Sequence, residues 1–171
     1  APAREPAPDV SLALLAARGD RQAFAQLVER HYDNIYPIAS KWTGKASDAE
    51  DVAQDVCIKL GTAIRSFDGR AAFTSWLYRV VLNAVRDMQR ARSRRGRHME
   101  RYAEVAPDEA LPDQEDATAM AEIWAAVRKL PEQQRDAILL VYAEEMTHAQ
   151  AGEIMGCKET TVSWHIHEAR K

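Results

Sequence analysis

The fold of this chain is read from Thr147-His148-Ala149-Gln150-Ala151-Gly152-Glu153-Ile154-Met155-Gly156-Cys157-Lys158-Glu159-Thr160-Thr161-Val162-Ser163-Trp164-His165-Ile166-His167-Glu168-Ala169. Thr147 to Gln150 has the T-x-x-Q form of a capping box, in which side chain and backbone satisfy each other at a helix start. Ala151, Ile154 and Met155 supply the packed face of the short helix that follows, and Gly156 supplies its left-handed stop. A second helix then sets Val162, Ile166 and Ala169 inward. Short helix, glycine turn and helix make a helix-turn-helix. Its last helix turns Thr160, Ser163, Trp164 and His167 away from the apolar stripe, where a major groove is read. Only Lys158, Arg170 and Lys171 add positive charge there, so unaided binding to DNA is expected to be weak.

Working back toward the N-terminus, the apolar spacing stays helical and glycine is scarce, so the chain reads as all-α. Met120, Ile123, Trp124, Val127 and Leu130 form one stripe; Pro131 suits a first helical turn, and Ile138, Leu139 and Tyr142 form the next. A long helix from about Ala72 to Arg95 buries Phe73, Trp76, Leu77, Val80, Val81, Ala84 and Met88. Before it, residues 66–70 read as a loop. Ser47-Asp48-Ala49-Glu50 has the capping-box form and opens a helix with Ala49, Val52, Ala53, Val56 and Leu60 on one side. Leu12, Leu15 and Ala16 begin a short helix ending at Gly19, and Asp20 caps the next, which carries Phe24, Leu27, Val28 and His31. After a break, Tyr32–Thr43 follows, with Pro37 as a kink or first-turn residue and Gly44 as the close.

Charge divides this string of helices into two small helical domains. The net charge of −3 argues against a protein that coats DNA by bulk positive charge. Yet seven arginines lie between Arg86 and Arg101, and six acids with Pro107 and Pro112 fill Glu104 to Asp116. This pattern reads as a basic helix end followed by a linker. The expected division is a disordered leader over 1–10, a domain over 11–97, a linker over 98–117 and a domain over 118–171. No apolar run approaches a membrane span and the proline-rich start lacks a signal-peptide core, so a cytoplasmic location is expected. Cys57 and Cys157, a hundred positions apart, form no metal or disulfide pattern.

Three patches remain for chemistry. Asp51, Gln54 and Asp55 project together from one helix face at i, i+3 and i+4. No histidine, nucleophile or phosphate loop accompanies them, which argues against an enzyme. Arg79, Asn83 and Arg86 project from the polar side of the long helix, near Phe67, Phe73, Trp76 and Tyr78. Basic groups beside rings suit single-stranded DNA, whose bases stack while arginine holds the backbone. His165 and His167 point different ways on one helix, so with His148 and Cys157 they make a poor metal site.

In this order the motifs resemble the extracytoplasmic-function sigma factors, over residues 11 to 171. Residues 48–56 (DAEDVAQDV) are similar to the segment that docks on the β′ clamp helices of RNA polymerase. Residues 73–79 (FTSWLYR) with Asn83 resemble the segment that melts and reads the −10 element, and 130–135 (LPEQQR) the opening of region 4. Residues 145–171 resemble its −35-reading helix-turn-helix. The resemblance implies a region 2 domain and a region 4 domain that bind core polymerase through the β′ clamp and β flap, and then promoter DNA. The implied core contact is Asp51, Gln54 and Asp55. The implied −10 contact is Phe67, Arg70, Arg79, Asn83, Arg86 and Arg90, and the −35 contact is Lys158, Thr160, Thr161, Ser163, Trp164, His167 and Lys171. An anti-sigma protein is the implied regulator, and no cofactor, small-molecule substrate or membrane insertion is expected. Two other readings compete: a sigma-mimicking decoy that sequesters an anti-sigma factor, and a helix-turn-helix repressor. The decoy should have eroded promoter contacts, yet Arg79, Asn83 and the arginine run are present. The repressor needs a dimerisation helix that the sequence does not offer.

Overall fold

A computed structural model describes residues 8–99 and 118–171, and among them every regular element is helical. The first domain is built from α1 (Asp9–Ala17), α2 (Arg21–Thr43), α3 (Ala46–Ala63) and α4 (Phe73–Met99), with a short 3₁₀ turn at Ile64–Ser66. The second comprises α5 (Thr118–Arg128), α6 (Glu132–Ile138), α7 (His148–Met155) and α8 (Glu159–Ala169), with a π-helical turn at Leu139–Ala143 after α6. The expected leader overlaps α1 by two residues, and α4 runs on to Met99. Most of the expected linker lies outside the described residues.

In the first domain, Leu27, Ile35, Ile38, Ala39 and Trp42 of α2 meet Ala49, Val52, Val56 and Leu60 of α3. Phe73, Leu77, Val81, Ala84 and Val85 of α4 close this core. Each such Leu, Ile, Val or Phe contributes about 1.5–3 kcal/mol relative to exposure, so the stripes fix how the helices face each other. Leu12, Ala13 and Ala16 attach α1, while Leu15 points to solvent. Its first turn is fastened by Asp9, which accepts from His31 at 2.9 Å and Arg30 at 3.0 Å.

Two helix starts come out differently. The Asp20 side chain accepts from the Ala23 N–H at 3.1 Å, as its position before α2 implies. The box expected at Ser47 does not form: the N-cap falls two residues earlier, at Lys45, and α3 begins at Ala46 with no side-chain cap. Asp48 is instead buried and accepts from Arg92 at 2.6 Å, tying α3 to α4.

The expected break before Tyr32 is also absent, for α2 continues through Pro37 to Gly44, whose left-handed φ of 70° ends it. Pro37 sits on the exposed face, where water can satisfy the carbonyl its ring leaves without a donor. Meanwhile Ile35, Ile38 and Trp42 carry burial across it.

The helix-turn-helix forms as read. Thr147 and Gln150 make both capping-box bonds, at 2.9 and 3.1 Å, and Gly156 takes φ 70°. Gly152 is fixed by a close approach, since a Cβ there would stand 2.7 Å from the Cys157 carbonyl oxygen. Ala151, Ile154, Val162 and Ile166 pack on Ala137, Leu139 and Leu140. The α5 stripe is not fully buried: Trp124, Val127 and Leu130 are half-buried, but Met120 and Ile123 are exposed because no described residue covers that end.

Candidate polymerase and promoter contact surfaces

On α3, Asp51 and Gln54 are exposed and Asp55 is half-buried in an ion pair with Lys59 at 2.8 Å. That hydrogen bond to Asp55 raises the Lys59 ammonium above its usual range. The three therefore share one face, as their spacing requires. Beside them an open cavity of about 670 Å³ runs between α2 and α3, lined by Tyr32, Tyr36, Pro37, Ala53, Gln54 and Ile58. Ile58 is 80% exposed and Tyr32 58%, apolar surface standing next to carboxylates. Sequence reading missed this groove, although two tyrosines and an isoleucine opposite the core stripes are visible there. Cys57 also lines it, its thiol pushed up by burial.

Phe67, expected in a loop facing DNA, is 5% exposed and belongs to the core. Its ring lies edge-on to Trp76 at 5.8 Å and to Phe73 at 6.0 Å. The loop places it there because the chain turns immediately afterward: Asp68 accepts from the Arg70 N–H at 3.0 Å and Gly69 takes φ 78°. Arg70 itself is exposed beside Asp68.

Of the remaining α4 residues, Asn83 and Arg90 are exposed, whereas Arg79 and Arg86 are engaged by the second domain. Arg79 donates to the Ile154 carbonyl at 3.1 Å and to that of Glu153. Arg86 donates to Asp136 at 2.6 Å and pairs with Glu132. Asp136 is fully buried, and its other oxygen accepts from the Trp42 indole N–H at 2.9 Å and from Arg135 at 2.9 and 3.0 Å. Arg135 also donates to Gln89 at 2.7 Å. A second junction joins Glu144 to Lys41 and to the Tyr78 hydroxyl. Burial first, then Glu144, holds that phenol well above its ordinary range. None of Asp136, Glu144, Trp42 or Leu82 was singled out from sequence. The available signal was an aspartate and an arginine immediately before the apolar Ile138–Leu140 run, on the buried side of their helix.

On α8, Lys158, Thr160, Ser163, Trp164, His167 and Lys171 are exposed, and Thr161 is half-buried. Val162 and Ile166 face inward, so the division read from the sequence is the one the helix adopts. Lys158 caps α8 without a side-chain bond, and Ser163 bonds His148 at 2.7 Å, linking the two helices of the motif. Among the described residues no group of three or more metal-binding side chains converges, and no helix is long and apolar enough to cross a membrane.

Two family models match the chain: Sigma-70 region 2 over residues 27–95, and Sigma-70 region 4 over residues 120–171. A region 2 domain followed by a region 4 domain defines the class, a sigma-70-type transcription initiation factor. Among its relatives, the ECF RNA polymerase sigma factor SigW of Bacillus subtilis is 31% identical over 90% of this chain and 88% of that protein. The RNA polymerase sigma-H factor of Pseudomonas aeruginosa is 34% identical over 95% of this chain and 90% of that protein. A solved structure of CnrH in complex with the cytosolic domain of CnrY superposes with a TM-score of 0.66 at 27% identity, covering 95% of this chain and 92% of that one. The chain belongs to the extracytoplasmic-function group of the sigma-70 family.

Proposed function

We propose that this protein binds core RNA polymerase and directs it to promoters by reading a −10 element with its first domain and a −35 element with its second. The observation that carries the reading is the outward face of α8, where Thr160, Ser163, Trp164 and His167 stand exposed above a buried Val162–Ile166 stripe. A recognition helix needs that division in order to enter a major groove. Lys158, Thr161 and Lys171 flank the face and serve phosphate contacts, which position the helix without specifying sequence. Asp51, Gln54 and Asp55, with the apolar groove beside them, form the polymerase contact, an apolar centre rimmed by charge. Asn83, with Arg79, Arg86, Arg90 and Arg70, holds the −10 strand, where a base leaves the stack at a cost of a few kcal/mol. Phe67 supports this surface from the core instead of stacking on a base. The protein does no bond chemistry of its own and works in the bacterial cytoplasm with the polymerase. Its regulator is an anti-sigma protein, of the kind that a structural neighbour, the sigma factor RpoE of Bartonella quintana, binds in its complex with the anti-sigma factor NepR.

Run-off transcription by core polymerase, with and without the protein, on a library randomised in both promoter elements tests the reading. Transcripts that require the protein and share −10 and −35 sequences are expected. No transcript together with no stable polymerase complex would overturn it and favour a decoy that only sequesters an anti-sigma factor.

A further inference from the structure

The outward face of α8 lacks the side chains that read purines by paired hydrogen bonds. Arginine or lysine takes guanine O6 and N7 together, and asparagine or glutamine takes adenine N6 and N7. Between Glu159 and His167 none of these four residue types occurs. Arg170, at the C-terminal end, is turned to the Tyr142 hydroxyl, and Lys158 precedes the helix. Ser163 is already engaged: its hydroxyl donates to the Glu159 carbonyl at 3.2 Å and bonds His148 Nδ1 at 2.7 Å. What projects from the middle of the face is Trp164, 56% exposed and turned away from Val162 and Ile166. Its ring rests edge-on against the half-buried His165, with centroids 5.0 Å apart. That contact steadies the indole and leaves its N–H without a hydrogen-bond partner among the described residues.

We propose that Trp164 selects a thymine at one position of the −35 element, covering its C5-methyl with the ring and donating to its O4 from the indole N–H. The inference rests on reading α8 as the −35 helix. In the major groove thymine presents an acceptor beside a methyl group, and no other base presents that pair. Indole presents the complement, a donor and no acceptor on the edge of an apolar ring. Cytosine would set its N4 donor against the N–H, and two facing donors leave both unpaired. Guanine offers acceptors with no methyl to cover, and adenine puts an amino group beside its acceptor. Because Trp164 is exposed in the free chain, closing it on a methyl removes apolar surface of both partners from water. His165 serves as support, since a ring already held loses less freedom on binding.

The test uses polymerase holoenzyme formed with the full chain, on a promoter recovered from the randomised library. Each −35 thymine, on either strand, is replaced singly by deoxyuridine, which removes the methyl and keeps O4. For each protein, holoenzyme is set to the same sub-saturating run-off yield on the thymine template. The uracil-to-thymine ratio is then read within that protein, so a general loss of activity cancels. The parent should lose about fourfold at one thymine, the equilibrium value of burying one methyl-sized group. Trp164→Phe, which keeps a ring and lacks the N–H, should retain that loss, and Trp164→Ala should use both templates equally. A −35 element indifferent to every uracil, or holding no thymine on either strand, would overturn the role of Trp164 alone. So would a methyl dependence that survives in Trp164→Ala. Transcripts that share no −35 sequence would instead sink the assignment of α8 to that element, and the role of Trp164 with it.

Discussion

On α3 the polar face of Asp51, Gln54 and Asp55 borders an open apolar groove, whereas on α4 the polar face around Arg79 and Arg86 lies beneath the second domain. By sequence the two faces are alike: polar residues at helical spacing opposite a buried stripe. They differ in charge, and the second domain presents Glu132, Asp136, Glu144 and Glu153 along its inner side. An acidic surface is drawn to the arginine face and has no such partner on α3. Exposure of a helix face is thus decided by what else the chain can place on it, and here complementary charge decides which face is covered.

Substitutions of increasing subtlety can break or sharpen that contrast. Phe67→Ala should lower the unfolding free energy by about 3 kcal/mol in a denaturant titration, as for a phenylalanine removed from a packed core. An unchanged midpoint would return Phe67 to the loop and to a DNA contact. On the covered face, Leu82→Ala should cost about 2 kcal/mol. On the open face, Ile58→Ala should stay within about 0.5 kcal/mol, as solvent-facing positions do. Equal costs would erase the distinction between the faces. Removing Asp48 sharpens it differently, because this acid of α3 is buried and committed to Arg92, whose guanidinium it pushes up. Asp48→Asn should cost about 1.5 kcal/mol, the scale of a hydrogen bond to a charged group. Asp51→Ala with Gln54→Ala, on the same helix, should leave the melting temperature nearly unchanged while weakening polymerase association in a pull-down. A loss of several degrees would make that patch structural.

The smallest effect expected is on pH. Tyr78 ionises near 10.0 when free and higher when closed against Glu144. The closed form therefore has its full stability below pH 10 and loses it as the pH rises toward the raised value. Scattering at pH 7 and above pH 10 should show the domains parting only at the higher value, and Tyr78→Phe should weaken that dependence.

The sequence determined by itself whatever depends on neighbours in the chain. The helix-turn-helix is local: the Thr147–Gln150 box, the Gly156 turn and the α8 stripe all lie within 23 residues, and each forms as spacing implies. The same holds for the Asp51–Gln54–Asp55 face, because a helix carries its i, i+3 and i+4 residues together wherever it goes. Only the tertiary structure decided the competitions between equivalent local choices. Asp48 bonds Arg92, 44 positions away, and no capping box forms beside it; Phe67 turns inward because Phe73 and Trp76 offer it rings; α2 runs through Pro37 because the core on its other side holds it straight. The partners of Arg79 and Arg86 lay further still from local rules. They come from residues 46 to 75 positions downstream, and the contact between Trp42 and Asp136 spans 94. Spacing along a helix fixes which side chains share a face, but what that face meets depends on packing and charge across the whole chain.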